Sequence, residues 1–378
     1  MKSPVVPETM RARMLAGQEL SLSRMGGEKG LPMKSPVVPE TMRALAPPAY
    51  DGRPESLRVE SRPVPRPTPG QVLVRVAAAP INPADLMFVR GQYGLRKPLP
   101  VVPGLEASGT VVAAGGVAGR LLVGRRVACV APGDGDGLWA EYAAVPLGQC
   151  LPLRAQVSDE QGASLFINPF TAWVLMERAK EGGHAALAQT AAAGTMGRML
   201  LALAKRRGVP IVNVVRRQEQ VALLRELGAE HVLSTHEPEF EERLHRVCHA
   251  LKVSLAFDPV GGRLTGQLLH ALPEGGTVIV YGSLSEQECR IAPADLIFGR
   301  KRVEGFWLSE WHRQGFGAAQ IKALMGVPSL VGQTLETPVR ARLPLESAGE
   351  AVRIASADMT SGKVLFVPEQ GQAPATST

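Results

Sequence analysis

Ala192, Gly194 and Gly197 have the spacing of a dinucleotide-binding loop, with alanine in place of the first glycine. Such a loop is built from small residues because its backbone N–H groups approach a pyrophosphate closely and the next helix packs tightly on the preceding strand. The N-terminus of that helix adds partial positive charge and unpaired N–H donors. The spacing therefore indicates a nucleotide site, although a plain strand–turn–helix connection in alanine- and glycine-rich sequence has the same appearance.

Two arginines, Arg216 and Arg217, follow the apolar segment Pro210–Val215, which predicts a second strand. In NAD-binding units an acidic residue at the end of this strand binds the ribose 2′-hydroxyl, whereas arginine suits a 2′-phosphate. These two residues are referred to below as the arginine pair. They favour NADPH over NADH as the cofactor; the alternative is that they form the solvated start of the next helix.

The elements that position these residues alternate between strands and helices, as in a doubly wound parallel sheet. The apolar run Ala185–Ala192 predicts a buried strand before the loop, and the apolar residues of 196–203 have helical spacing after it. Further strands are predicted at 231–234, 254–258 and 276–282, and helices at 218–227, 238–251 and 263–272. Because ligands gather beyond the carboxyl ends of such strands, Tyr281 to Leu284 should line a cofactor crevice.

The first part of the chain predicts a compact, barrel-like β unit, because short strands alternate there with turns rich in glycine, proline and aspartate. These strands are predicted at 42–46, 57–60, 72–79, 107–113, 126–130 and 139–145. From about Ser158 the pattern changes to helix. The segment Gly362–Val367 predicts a final strand that returns to the β unit. The fold class is therefore α/β, with a doubly wound region inserted into a β unit.

The first forty residues contain a perfect duplication, since Met1–Ala12 recurs as Met33–Ala44. A repeat without any divergence is more typical of a cloning scar or a misassigned start than of a structural repeat. The segment between the copies has no lasting hydrophobic periodicity. We expect residues 1–40 to be a disordered tail.

Composition excludes several classes of protein. The 378 residues are 45% hydrophobic and 20% charged, which is ordinary for a globular chain long enough for two domains. No apolar run approaches the roughly 20 residues of a membrane span. The net charge of +7 is dispersed, so we expect no nucleic-acid partner. Four cysteines without paired spacing suit a reducing compartment, and we expect a cytoplasmic location.

Six segments carry a resemblance to a known family. They are Ile81-Asn-Pro-Ala-Asp-Leu86, Arg90-Gly-Gln-Tyr-Gly94, Ile167-Asn-Pro-Phe-Thr-Ala172, Asn213-Val-Val-Arg216, Leu227-Gly-Ala-Glu-His-Val232 and Gly305-Phe-Trp-Leu-Ser309. With them the chain resembles the medium-chain dehydrogenase/reductase superfamily over about residues 42–366. The second and the last segments are the more specific ones. They resemble the zinc-independent 2-enoyl thioester reductases, such as trans-2-enoyl-CoA reductase, and their quinone oxidoreductase neighbours.

The resemblance implies a particular division of the chain. A GroES-like catalytic domain would comprise residues 41–165 and 308–378. A Rossmann domain that binds NADPH would comprise residues 166–307. Family members also imply a homodimer formed through the nucleotide-binding domains.

The resemblance also assigns roles to individual residues. It implies that Tyr93 donates a proton to the substrate, with Asn82 orienting this donor or the substrate carbonyl. A phenol, with an ordinary pKa of about 10, is a reasonable neutral donor near pH 7; the alternative is that Tyr93 is a packed loop aromatic. The implied cofactor contacts are Asn168, Thr171, Ala193, Gly194, Thr195, Met196, Gly197, Arg216, Arg217, Gln218, Tyr281, Gly282, Ser283, Leu284, Phe306, Trp307, Leu308, Ser309 and Lys363.

No metal is expected, because the ligands of the zinc-dependent members are missing. Where those members have Gly-His-Glu, this chain has Gly104-Leu-Glu106 and so lacks the imidazole ligand. Where the first cysteine ligand stands in those members, this chain has Ile81-Asn82-Pro83. The four-cysteine lobe of a structural zinc is also absent from the sequence.

Three functions stay open at this stage. The first is NADPH-dependent reduction of a 2-enoyl thioester, with hydride addition at the β-carbon and a proton from Tyr93. The second is reduction of a quinone or a general enone with the same cofactor. The third is nucleotide binding without turnover.

Overall fold

A computed structural model describes residues 38–313, 315 and 317–368 of the chain. The predicted disordered tail lies almost wholly outside these ranges, and only the end of the second copy of the duplication is described, where it begins β1. The strands are β1 Thr41–Ala46, β2 Arg58–Pro63, β3 Gln71–Pro80, β4 Glu106–Ala114, β5 Arg126–Val130, β6 Tyr142–Pro146, β7 Cys150–Pro152, β8 Leu187–Gln189, β9 Ile211–Val215, β10 His231–Ser234, β11 Leu255–Asp258, β12 Thr277–Val280, β13 Arg302–Gly305, β14 Val339–Leu343 and β15 Lys363–Phe366. The helices are α1 Pro83–Val89, α2 Val117–Arg120, α3 Asp159–Ala163, α4 Ile167–Glu181, α5 Thr195–Arg207, α6 Gln218–Glu226, α7 Phe240–Ala250, α8 Gly262–Ala271, α9 Pro293–Ile297, α10 Leu308–Arg313, α11 Ala318–Leu330 and α12 Ala348–Ala357.

Strands β8 to β13 form one parallel sheet, in the order β10-β9-β8-β11-β12-β13. The chain order along this sheet reverses between β8 and β11. Such a switch point opens a crevice beyond the carboxyl ends of the strands, where open α/β sheets bind their ligands. The predicted doubly wound fold is confirmed.

Burial explains why this region is a sheet covered by helices. All five residues of β9, Ile211–Val215, are buried, as expected for a central parallel strand with both faces covered. Helix α5 buries Met199, Leu200 and Leu203 on one face, so the predicted helical spacing is confirmed. The helix ends at Gly208, whose φ of 66° is the left-handed conformation that glycine adopts at little steric cost.

The remaining strands form the β unit. One sheet has the order β14-β15-β3-β4-β5-β7, β6 also pairs with β3, and β1 pairs with β2. The last strand, β15, is antiparallel to β3 through Leu365 and Phe366. The chain therefore returns to the β unit after the parallel sheet, as the sequence predicts. Trp139 and Phe366, both fully buried, make an edge-to-face contact in its core with ring centroids 5.0 Å apart.

Several predicted strands are too long, among them the one predicted at 276–282, which covers only Thr277–Val280. The strand predicted at 185–192 covers only Leu187–Gln189, because Ala191 has a φ of 49° and turns the chain toward α5. The strand predicted to begin at Trp139 begins at Tyr142. The backbone N–H of Trp139 instead donates to the carbonyl of Pro103 (2.9 Å) in a loop contact. Buried apolar residues indicate core, and they do not by themselves indicate strand.

Candidate active site

A cleft of about 750 Å³ lies between the carboxyl edge of the parallel sheet and the β unit. Most of the residues predicted for the site line it. They are Asn82, Tyr93, Asn168, Thr171, Gly194, Thr195, Met196, Gly197, Tyr281, Gly282, Ser283, Leu284, Phe306, Trp307, Leu308 and Lys363. Residues that are widely separated in the sequence thus meet in one cavity of a size that accommodates a cofactor and a substrate.

Five predicted site residues do not line this cleft: Ala193, Arg216, Arg217, Gln218 and Ser309. Ala193 is buried, and its carbonyl accepts a hydrogen bond from Nε of Arg198 (2.8 Å). Ser309 does not line the cleft itself, but its Oγ lies 3.4 Å from the hydroxyl of Tyr93, which does. The other three lie at the end of β9.

The loop between β8 and α5 has the features of a phosphate-binding turn. Gly194 is the N-cap of α5, and a Cβ there would meet only the Ala191 carbonyl, at 3.4 Å, so the cleft side of the loop is open to a ligand. Gly197 is different, since a Cβ there would overlap the carbonyl group of Ala192. Gly197 therefore permits close packing of the helix on the strand, while Gly194 permits close approach to the helix N-terminus. These residues fit a dinucleotide pyrophosphate.

The arginine pair lies beside this loop. The backbone N–H of Ala192 donates to the carbonyl of Val214 (3.2 Å), two residues before the pair. The side-chain oxygen of Gln220 accepts from the backbone N–H groups of Arg216 (3.1 Å) and Arg217 (3.0 Å). With these N–H groups occupied, only the guanidinium groups can bind a ligand. Arg216 is exposed, and Arg217 forms an ion pair with Glu219 (3.1 Å).

Tyr93 stands in the cleft with its hydroxyl held by a tryptophan. Nε1 of Trp307 donates to the Tyr93 oxygen (2.9 Å), and the two rings meet edge to face at 5.7 Å. Because the indole N–H can only donate, it leaves the phenol proton of Tyr93 free for another acceptor. Trp307 and Ser309, which are predicted to close over the cofactor, both lie against Tyr93.

Asn82 belongs to a buried polar network at the floor of the cleft. Its Nδ2 donates to Oε1 of Glu106 (2.9 Å), and its Oδ1 accepts a hydrogen bond from Nζ of Lys363. Its backbone N–H donates to Oδ2 of Asp85 (2.8 Å). These four residues, Asn82, Asp85, Glu106 and Lys363, are referred to below as the Asn82 network. None is more than 8% exposed.

Burial dominates the electrostatics of this network. It raises the pKa of Glu106 to about 7 and that of Asp85 to about 6, because desolvation disfavours the charged carboxylate. Desolvation lowers the pKa of Lys363 for the same reason, against the attraction of both carboxylates. Sequence reasoning missed Asp85 and Glu106 as site residues. The available signal was that each is an acidic residue in a segment of mostly apolar residues, where a charged side chain is rarely buried without a partner.

This donor set does not fit a zinc ion. The Asn82 oxygen is occupied by an ammonium group, and no imidazole belongs to the network. The nearby thiol of Cys129 donates to the carbonyl of Ala107 (3.5 Å), and burial raises its pKa well above the ordinary value, which disfavours a thiolate ligand. Among residues 38–313, 315 and 317–368, no group of three or more His, Cys, Asp or Glu side chains could hold a metal ion.

The described helices include none that is both long and apolar enough to span a membrane.

Two family models match the chain. The Alcohol dehydrogenase GroES-like domain matches residues 68–155, and the Zinc-binding dehydrogenase model matches residues 195–321. The first match covers β3 to β7 of the β unit, and the second covers β9 to β13 of the parallel sheet. The model that matches residues 195–321 is named for zinc binding, but the residues at the floor of this cleft do not fit a zinc ion.

Relatives and solved structures agree with the family models. The chain is 28% identical to the mitochondrial enoyl-[acyl-carrier-protein] reductase of Xenopus tropicalis, over 82% of this chain and 91% of that protein. It is 32% identical to the enzyme of the same name from Caenorhabditis elegans, over 70% and 76%. A Mesorhizobium loti protein assigned provisionally as an NADPH:quinone reductase has 35% identity and a TM-score of 0.80, covering 88% of this chain and all of that one. The quinone oxidoreductase of Thermus thermophilus, also solved with NADPH, has 29% identity and a TM-score of 0.70, over 86% and 100%.

Proposed function

Because the chain belongs to the medium-chain dehydrogenase/reductase superfamily, in its enoyl reductase and quinone oxidoreductase group, we propose that it is an oxidoreductase that uses NADPH to reduce the C=C bond of a 2-enoyl thioester. The membership rests on the relatives and solved structures above. The single observation that carries the proposed substrate is the phenol of Tyr93 in the cleft. Its oxygen accepts from Trp307, and its hydroxyl lies 3.4 Å from Ser309 Oγ, a distance beyond the usual O–H···O range, so its proton stays available to a substrate.

The residues present fit NADPH. The open N-terminus of α5 at Gly194 suits the pyrophosphate, and the arginine pair suits the 2′-phosphate. Asn168 and Thr171, on the first turns of α4, also line the cleft and would hold the nicotinamide ring. When bound, NADPH would supply a hydride to the β-carbon of the alkene.

Tyr93 completes the reduction. Addition of a hydride at the β-carbon moves the π electrons of the alkene onto the thioester carbonyl as an enolate, and the α-carbon must then gain a proton. Tyr93 supplies that proton, and its O–H bond breaks as the Cα–H bond forms. The N–H of Trp307 stabilises the phenolate that results, until the phenolate takes a proton from solvent.

A second candidate is a quinone or enone reductase, and the identity to NADPH:quinone reductase structures favours it. This reaction uses the same cofactor site. The two reactions differ in where the proton is added. A reduced quinone is protonated on oxygen, which exchanges protons readily with water. Quinone reduction therefore depends less than alkene reduction on an acid such as Tyr93 that is positioned to protonate carbon.

The test is to follow NADPH oxidation by the purified protein with crotonyl-CoA, with a simple quinone and without an acceptor. We expect turnover with crotonyl-CoA that falls about 10²- to 10⁴-fold in Tyr93→Phe, the range for loss of a general acid. NADPH binding should be unchanged in that variant. Tyr142→Phe, at a half-buried tyrosine in β6, is the matched control. Turnover with the quinone alone would favour the second candidate, and NADPH binding without any turnover would leave nucleotide binding as the activity.

A further inference from the structure

The Asn82 network contains two fully buried acids and a buried lysine that the proposed reaction does not itself use. We propose that Glu106 and Lys363 are positioning residues: they hold the Asn82 amide in one orientation, as a hydrogen-bond donor to the substrate carbonyl oxygen, and tie it to the start of helix α4. This inference rests on the proposed function, because it names the substrate atom that Asn82 recognises.

The partners of Asn82 fix which way its amide faces. Lys363 Nζ can only donate, so it must meet the amide oxygen, whereas ionised Glu106 can only accept, so it must meet the amide nitrogen. A flipped amide would place N–H groups against an ammonium and an oxygen against a carboxylate. The other N–H of Nδ2 makes a weaker side-chain contact with the carboxylate of Asp85. Since Asn82 lines the cleft, this N–H is the donor that the amide can offer to a ligand.

Glu106 connects this amide to the other side of the cleft. Its Oε2 accepts from the backbone N–H groups of Phe166 and Ile167, both at 2.9 Å, at the N-terminus of α4. The same helix presents Asn168 and Thr171 to the cleft. One carboxylate thus sets the position of Asn82 relative to residues on the cofactor side. A donor fixed in this way needs no reorganisation when negative charge develops on the carbonyl oxygen.

The ionised form of Glu106 is the one that fits these contacts, because all three are with N–H donors. The titratable groups that face it are Asp85 from α1, Lys363 from β15 and Cys129 from β5. Asp85 is itself held by the backbone N–H of Leu105 (2.8 Å). Because burial raises the pKa of Glu106 to about 7, the network should lose its full set of hydrogen bonds as the pH falls through that value.

The first experiment reads the network without cofactor or substrate. In ¹⁵N-labelled protein the side-chain amide signals of Asn82, assigned by their loss in Asn82→Ala, should shift with pH around about 7. The part of this shift centred at about 7 should be absent in Glu106→Gln, an isosteric change that removes the charge, while the titration of Asp85 at about 6 remains. An Asn82 signal that does not titrate, or that titrates equally in Glu106→Gln, overturns the inference.

The second experiment reads the consequence for turnover of crotonyl-CoA. Removal of one fixed donor to a developing oxyanion costs about 10²- to 10³-fold in kcat, and we expect a loss in this range for Asn82→Ala. Glu106→Gln should lower kcat about 10- to 100-fold with little change in KM or in NADPH binding, since a misdirected donor is lost only in part. The double variant should be no slower than Asn82→Ala alone, because Glu106 acts through Asn82. Losses in kcat that multiply would overturn the inference.

Two controls separate positioning from folding. Glu160→Gln, which breaks an exposed ion pair with Arg342, should leave kcat and the pH profile unchanged. If Glu106→Gln does not fold, Lys363→Gln tests the same orientation of the Asn82 amide. The side-chain N–H of the new glutamine can still donate to Asn82, whereas methionine cannot. Lys363→Gln should therefore keep part of the rate that Lys363→Met loses. A wild-type protein that shows the amide titration but does not reduce crotonyl-CoA would refute the proposed function and leave the network standing. A wild-type protein that reduces crotonyl-CoA but shows no titration of the Asn82 amide would refute the positioning role of the network and leave the proposed function standing.

Discussion

The hydrogen bond from Trp307 to Tyr93 should contribute to the rate because it strengthens as the reaction proceeds. In the resting site a neutral indole N–H meets a neutral phenol oxygen at 2.9 Å. A bond of this kind contributes about 1 kcal/mol, whereas a hydrogen bond to a charged group contributes about 1.5 to 3 kcal/mol. When the phenol gives up its proton, the difference of about 0.5 to 2 kcal/mol lowers the barrier. Trp307→Phe should therefore lower kcat about 2- to 30-fold.

Phenylalanine is the informative replacement because it keeps an aromatic ring for the edge-to-face contact with Tyr93 while it removes the N–H together with one ring of the indole. The matched control is Arg313→Gln, since the Arg313 guanidinium lies 5.1 Å from the centre of the Trp307 ring but does not contact the phenol oxygen. This control should keep kcat within about twofold of the wild type, as expected for a partly exposed cation–π pair.

The assay is steady-state NADPH oxidation with saturating crotonyl-CoA, for the two single variants and for Tyr93→Phe combined with Trp307→Phe. The combination should be as slow as Tyr93→Phe alone, because the indole acts only through the phenol oxygen. The reasoning is refuted if Trp307→Phe has the wild-type kcat. It is equally refuted if the combined variant is slower than Tyr93→Phe by the full factor of the tryptophan change.

Three further predictions concern the cofactor loop, the arginine pair and the buried carboxylate. Gly197→Ala places a Cβ against the Ala192 carbonyl and should cost about 1 to 3 kcal/mol in urea unfolding, whereas Gly148→Ala, with open space around it, should cost little. Replacing the arginine pair with alanine should weaken NADPH binding about 10- to 100-fold and leave NADH binding unchanged in fluorescence titrations; equal losses for both cofactors would contradict the assignment to the 2′-phosphate. Burial raises the pKa of Glu106 from 4.5 to about 7, so the folded protein keeps a proton that the unfolded chain has lost, and stability should fall as the pH rises through this window. Glu106→Gln should remove about 3 kcal/mol of that decline between about pH 4.5 and about pH 7, and an unchanged slope of unfolding free energy against pH would contradict the prediction.

The sequence alone determined the fold class and the position of the glycine-containing turn between β8 and α5, since both depend on local patterns. Apolar runs at strand length, helical spacing between them and small residues at 192, 194 and 197 act over short distances along the chain. Residue type at the end of a predicted strand also identified the arginine pair as a candidate, whereas Tyr93 was identified through the resemblance to the enoyl thioester reductases. The ends of the strands do not follow from these patterns, because the apolar residues near Trp139 that predicted a strand belong to a loop packed in the core.

Only the tertiary structure decided what each side chain contacts. Trp307 lies 214 positions from Tyr93, and Lys363 lies 281 positions from Asn82, so no local period relates them. From the sequence, Glu106 was considered only as a neighbour of the missing histidine ligand, and its contacts were not predicted. Its role emerges where β4, α1, β15 and the start of α4 converge, because a buried carboxylate must find donors and the fold brings them from separate elements.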